Sequence, residues 1–423
     1  MRIHAINRAV DCPWGRRAIA ITCLFLAAEG AQAAPRPHGR DAGSPRVFLI
    51  DPQTLVQTKR RAAARDPQLA AALGRLERDA EKSLKVEPFS VTWTDKIPPS
   101  GDKHDYLSMA KYYWPNPNSP NGLPYVSRDG ETNPETKTFP ALTAMEGVCH
   151  HVPTLALAYY LTGRESYAAG AAKLLRVFFL NPATRMNPHL EYAQFIPGKN
   201  TGRGTGIIET TGLSPLIDAV GMLAGSPAWT ATDQKGMEAW FHAYLRWLLM
   251  SKAGQTEGKA SNNHGCWYDV QTASMALFVG EAGTARQILG SVLPRRIALQ
   301  IEPDGQMPRE LKRTKSFSYC IFNLRALFDL AALGDRAGVD LWNARTPDGR
   351  GIRKALDFML PYTVGGRPWQ GQQITKFDPN EILPLLRRAA SAYHDPQYEA
   401  MIAKLPGSAD SSNRLYLLHP NNK

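Results

Sequence analysis

From Ala141 onward the chain repeats one pattern, apolar residues at every third or fourth position broken by short runs of Gly, Pro and Asn. That period places side chains on one face of an α-helix. It predicts helices over roughly 141–162, 165–179, 208–224, 229–252, 264–279, 283–297, 315–334, 350–361 and 380–404. An earlier one, over roughly 67–85, carries Leu69, Ala72, Leu73, Leu76, Ala80 and Leu84. Gly163, Asn181-Pro182 and Gly198-Lys199-Asn200 sit in the connections. The Val/Ile/Thr alternation of strands is scarce. The expected fold is all-α, antiparallel helical hairpins forming one main domain over 67–423, wide enough to close into an (α/α) toroid or barrel.

Three stretches depart from this pattern. Residues 86–140 are crowded with Pro, Gly, Asn and aromatics, including Tyr112-Tyr113-Trp114-Pro115. So many aromatics argue for an ordered loop packed on the helical body. Residues 34–66 read as a flexible lead-in. The first 33 residues have Arg16-Arg17, the apolar stretch Ala18 to Ala28, and Ala31-Gln32-Ala33, the three parts of a secretory signal peptide in order. Cleavage near Ala33 would deliver the protein to the periplasm or beyond. No apolar run reaches the length of a membrane span.

The full chain has 50 Lys+Arg against 38 Asp+Glu, a net charge of +12. Removing Arg2, Arg8, Arg16 and Arg17 with Asp11 and Glu29 leaves about +10. Such a surplus suits a polyanionic partner. Export argues against nucleic acid and for an acidic polysaccharide. After cleavage Cys149, Cys266 and Cys320 remain, an odd number without C-x-x-C spacing. They read as small buried thiols, not a disulfide framework or zinc site, and no metal or cofactor is expected.

Two polar clusters stand out. In Asn262-Asn263-His264-Gly265-Cys266-Trp267-Tyr268-Asp269-Val270-Gln271, a helix starting near His264 would align Tyr268 and Gln271 on the same side. Two Asn at a helix start are also ordinary caps. In Pro308-Arg309-Glu310-Leu311-Lys312-Arg313-Thr314-Lys315, four cations within seven positions precede Tyr319, with Asn323 one turn on. A run of this kind is often just a solvated face. Gln194, Arg203, Tyr112, Tyr113 and Trp114 are further groove candidates. Gly202 to Gly206 lacks the ending and the preceding strand of a phosphate loop.

The aromatic segment from Asp105-Tyr106-Leu107 to Gly122-Leu123-Pro124-Tyr125, the Asn263-His264 block and the Arg313…Tyr319 block together resemble the alginate lyase superfamily of helical polysaccharide lyases. The likeness spans about residues 90–375 and sits nearest the broad group that includes polyglucuronate-cleaving enzymes. It implies an (α/α) toroid and metal-independent β-elimination at a 1,4-linked uronate. The expected substrate is alginate in its poly-mannuronate form, with polyglucuronate the alternative. Removing a proton beside a carboxylate requires a neutralised carboxylate, a base, and an acid for the departing O4. The resemblance assigns Asn263 and Arg313 to the carboxylate, with Arg309 competing for the role of Arg313. His264 and Tyr319 share base and acid. Tyr112, Tyr113, Trp114, Gln194, Arg203, Tyr268, Gln271, Arg309, Lys312 and Asn323 would bind the polymer. The protein is expected to act as a monomer. A glycoside hydrolase on the same scaffold would need two paired carboxylates. Glu146, Glu209, Asp269 and Glu310 are available, but none is paired by spacing. A non-catalytic glycan-binding protein would have no need to keep Asn, His, Arg and Tyr together.

Overall fold

The computed structural model describes residues 44–408 and 410–420, so the proposed leader lies outside the described residues. All of these belong to one unit, residues 40–423. Helices α1 (Pro52–Ala63) and α2 (Pro67–Ser83) begin alike: the Asp51 carboxylate accepts from the Thr54 amide and Asp66 from the Gln68 amide, each at 2.9 Å, with Pro opening the first turn. The second half of the expected flexible lead-in is therefore a capped helix. Its Leu55 is fully buried. The polar run Lys59-Arg60-Arg61 had masked that apolar face.

The segment 86–140 is ordered by short pairings. Strand β1 (Leu107–Met109) runs parallel to a later strand, and β2 (Tyr113–Trp114) pairs antiparallel with β3 (Val126–Ser127). Tyr106 and Asn133 are buried beneath them, and the Asn133 amide donates to the Tyr113 carbonyl at 2.9 Å.

The helical body follows. α3 (Ala141–Thr162) stops at Gly163, whose φ of 71° is left-handed, and α4 (Glu165–Leu175) packs back on it. Strand β4 (Tyr192–Phe195) partners β1 and leads through a 3₁₀ segment, Gly204–Thr210, to α5 (Leu213–Met222). α6 (Ala231–Met250) opens with a Thr230–Asp233 capping box, and α7 (Lys252–Gly258) and α8 (Asn263–Phe278) follow. Then come α9 (Ala282–Gly290) and two short turns, α10 (Ala298–Gln300) and α11 (Pro308–Leu311). α12 (Ser316–Ala337), α13 (Ile352–Thr363), α14 (Leu383–Tyr393), α15 (Pro396–Ile402) and α16 (Leu415–Leu418) complete the order. The helix expected over 380–404 divides because His394 turns left-handed (φ 50°) ahead of Asp395-Pro396.

Two helices lie in the middle of the packing. α8 touches α5, α6, α9 and α12, and nearly every residue on it is buried. α12 is long and apolar enough to cross a membrane, with a mean hydropathy of 1.2 in its best window; 72% of that window is buried in the fold. The expectation that no stretch reaches that length is corrected here. Burial among neighbouring helices explains the apolar composition.

The N-terminal segment is held by Arg46, which bonds Glu238 and the carbonyls of Leu277 and Phe278, and by one carboxylate. Asp218 on α5 accepts the backbone amides of Phe48 (2.6 Å), Leu49 (3.0 Å) and Ile50 (3.0 Å). Replacing Asp218 by Ala strands three amides at a buried position, each worth about 1 kcal/mol or more. Denaturant unfolding of Asp218→Ala should show a loss of at least about 3 kcal/mol; a loss under about 0.5 kcal/mol would mean that the segment is held by other contacts.

Candidate active site

A cavity of about 620 Å³ is lined by residues from the aromatic segment (Lys111, Tyr112, Tyr113, Asp129), from α3 (Glu146, His150) and from the β4 region (Gln194, Arg203, Glu209). The start of α8 contributes Asn263 and His264, and Arg313 and Tyr319 complete the wall. The two polar clusters of the sequence thus meet at one place.

Asn263 is not a helix cap. Its backbone N–H and its side-chain Nδ2 both donate to the Glu310 carboxylate at 2.7 Å, so Glu310 caps the helix and fixes the amide at once. The Asn263 Oδ1 is left without a partner. Burial pushes the Glu310 carboxyl above its usual range, against the two Asn263 donors and the nearby Arg313 charge. His264 places Nδ1 at 2.5 Å from Glu257 Oε1. A carboxylate there assigns the Nδ1–H tautomer and leaves Nε2 with its lone pair free.

Arg313 stands between two partners. It forms an ion pair with Asp129, 184 residues away in sequence, and its Nη2 donates to the Tyr319 hydroxyl at 2.7 Å. Its guanidinium carbon lies 3.7 Å from the Tyr319 ring centre. Tyr319 in turn donates to the Tyr112 hydroxyl at 3.1 Å. Burial is the main cause that raises the Tyr319 phenol well above the ordinary tyrosine value. The bond to Tyr112 adds to it, and the Arg313 charge opposes it. Tyr319 therefore rests as a neutral phenol.

Several expected binding residues lie elsewhere. Tyr268 donates to the Leu248 carbonyl at 2.8 Å, and Gln271 accepts from Thr210 at 2.7 Å, both buried inside the body. They do share the His264 side of α8, but each residue advances about 1.5 Å along the axis. Only the first turn reaches the cavity. Asn323 is likewise buried, donating to Gln300 at 3.0 Å. Trp114 donates to the Glu131 carbonyl and sits under Arg128, outside the cavity wall. Arg309 and Lys312 are exposed and do not line it; of the two competing arginines, Arg313 is the one in the cavity.

The sequence reading passed over Asp129, Glu257 and Lys111. Asp129 is 184 residues from Arg313, so no local spacing points to it; Glu257 stands seven residues before His264, but across the break between α7 and α8. His150 and Glu146 had a signal: Leu142, Met145, Glu146 and Cys149 recur at helical spacing and face the cavity together. Among the hydrolase candidates, Asp269 is committed to a buried bidentate ion pair, accepting from Arg296 at 2.7 and 2.9 Å. Cys149, Cys266 and Cys320 are free thiols, and no group of three or more metal-ligating side chains occurs among the described residues.

Comparison with known proteins places the chain in a family. The alginate lyase family model matches residues 90–369, the span from the aromatic segment to beyond Tyr319. The chain belongs to the alginate lyase family. A crystal structure of an alginate lyase from Bacteroides ovatus is 39% identical, covers 90% of this chain and 100% of its own, and superposes with a TM-score of 0.86. Two variants of alginate lyase A1-III complexed with a tetrasaccharide, each 14% identical over 91% of this chain and 99% of theirs, superpose at 0.58 and 0.56 and share the fold. A search of curated proteins found no match. The protein is a polysaccharide lyase acting on an alginate-like acidic polysaccharide.

The Asp129–Arg313 pair has a definite pH signature. Burial works against the Asp129 carboxylate, but the Arg313 bonds and the Thr314 amide outweigh it and hold its pKa at about 2, below the ordinary 3.8. A depressed carboxylate stabilises the fold above its unfolded value, and the contribution fades as pH falls toward the folded one. Asp129→Asn should therefore lower the melting temperature at pH 6 and converge on the parent near pH 2. A difference that does not vary with pH would show that the pair contributes nothing through charge.

Proposed function

We propose that this lyase cleaves a 1,4-linked polyuronate by β-elimination, leaving an unsaturated uronate at the new end. The observation that carries the reading is the single cavity in which Asn263, His264, Arg313 and Tyr319 converge. Asn263 and Arg313 line the cavity side by side with His264 and Tyr319, and the guanidinium can donate there to a charged sugar carboxylate. Drawing charge from that carboxylate makes the C5 proton removable, as a preformed oxyanion site does. His264 Nε2, aligned by Glu257, is the free lone pair available to take that proton. Tyr319, a neutral phenol between Arg313 and Tyr112, delivers its proton to the departing O4. Arg313 then steadies the phenolate that forms.

The proposal extends to the setting. The helical hairpins would close as an (α/α) toroid, the chain would be exported after cleavage near Ala33, and it would act as a monomer with no membrane span. The basic surplus suits capture of a long polyanion. Poly-mannuronate is the leading substrate, and polyglucuronate the alternative.

Tyr319→Phe keeps the ring and removes the proton. Its kcat on polymannuronate, followed by the ultraviolet absorbance of the unsaturated product, should fall by about 10²–10⁴-fold. Polymer binding, followed by calorimetry, should persist. Activity at the parent level would remove Tyr319 from the chemistry. Assaying polymannuronate, polyguluronate and polyglucuronate side by side identifies the sugar; reducing ends without the ultraviolet signal would mean hydrolysis instead.

A further inference from the structure

On the wall that bears β4, the cavity holds a cation that no carboxylate contacts directly. Arg203 is half-buried, lines the cavity, and forms no ion pair with any carboxylate among the described residues. Its Nη2 donates to the side-chain oxygen of Gln194 at 2.7 Å, a neutral acceptor, and its Nε is buried without a partner. The Tyr113 ring stands 5.1 Å from the guanidinium, with Lys199 5.4 Å from the same ring, so further positive charge lies close by. Withdrawing a guanidinium from water without an opposite charge is costly. Burial accordingly pulls its pKa below the ordinary arginine value, even though the Glu209 and Glu257 carboxyls lie within electrostatic reach.

The acceptor that holds Arg203 is itself built at a cost. Gln194 has φ of 49°, a left-handed conformation that non-glycine residues rarely adopt. Its backbone amide donates to Ser108 Oγ at 2.8 Å, and Ser108 and Tyr106 both donate to Glu209 Oε2, at 2.6 and 2.9 Å. The network thus fixes Gln194 against its own backbone preference, with the side chain turned to Arg203. Strain of this kind clusters where geometry serves a ligand.

We infer that Arg203 is the seat for a second sugar carboxylate, belonging to the uronate next to the one cleaved, and that Gln194 is the residue that positions it. This rests on the polyuronate reading above and sharpens it: the enzyme recognises consecutive acidic sugars, one carboxylate at Asn263 and Arg313 and the next at Arg203. A neutral acceptor at position 194 is then functional. It orients the guanidinium without cancelling the charge that the substrate is to meet.

The test uses Gln194→Glu, which keeps size and the bond to Arg203 but supplies an internal countercharge. On polymannuronate and polyglucuronate its KM should rise at least about tenfold with a smaller change in kcat, since a charged hydrogen bond is worth about that much. Because the Gln194 side chain also bonds the buried Glu209 carboxyl, the variant's melting temperature is measured in parallel and KM is compared where both proteins are fully folded. Arg203→Gln should raise KM to a similar degree. If Arg203→Gln fails to fold, Gln194→Glu decides alone. A Gln194→Glu enzyme with the parent KM overturns the inference, because a merely structural bond would tolerate the stronger acceptor. Should the parent enzyme give no unsaturated product from any polyuronate, the functional reading fails first, and the seat is then probed by calorimetric binding of the same polymers to the parent and to Gln194→Glu. Equal affinities there would overturn the seat as well.

Discussion

The site depends on a guanidinium that never touches the cavity. Arg296 is buried with Asp269 at the second turn of α8, and it also donates to the carbonyls of Ala260 (2.7 Å) and Gly258 (2.8 Å). Those carbonyls belong to the link between α7 and α8, which carries Glu257 at one end and Asn263-His264 at the other. One cation therefore sets the distance between the histidine and the carboxylate that orients it. The approach is so close that a methyl group at Gly265 would lie 2.0 Å from the Ala260 carbonyl oxygen and 2.3 Å from Arg296. A buried ion pair contributes uncertainly to stability, but breaking one by removing a single partner is strongly destabilising. Here it also fixes a register.

The reactive groups rest on supports of different kinds. Asn263 and His264 sit on the first turn of a helix buried on nearly all sides, and Tyr319 on the first turn of another. Packing there leaves little freedom. Tyr112, Tyr113 and Asp129 come from the aromatic segment, held by two-residue pairings and by the cross-link from Asp129 to Arg313. Rigid helices carry the residues proposed to transfer protons, and the segment contributes Tyr112, Tyr113 and Asp129 to the same cavity.

Much of this was legible in the chain before any coordinates. The period of three to four marked nearly every long helix, because a buried helix face needs no distant information. The Asn263-His264 and Arg313…Tyr319 blocks were visible as dense polarity at helix starts. What stayed hidden was of two kinds. Asp129 is joined to the site by the fold, at no local interval, and Glu257 meets His264 only because the helix breaks between α7 and α8. Tyr268, Gln271 and Asn323 were misplaced because a shared helical face gives a direction, while reaching the cavity depends on depth along the axis. α1 was missed because its cations outnumber its buried leucine.

The cross-link between Asp129 and Arg313 joins residues that chemistry would otherwise let vary independently. Arg313 contacts Tyr319, the proposed proton donor, on one side and the aromatic segment on the other, so the two cannot diverge freely. Changes in the enclosing segment reach Tyr319 by two contacts, the Arg313 guanidinium that Asp129 holds and the hydroxyl of Tyr112. A lineage can therefore lengthen or re-clothe that segment to suit new polymers, provided the acidic residue that meets Arg313 and the tyrosine that meets Tyr319 stay in place.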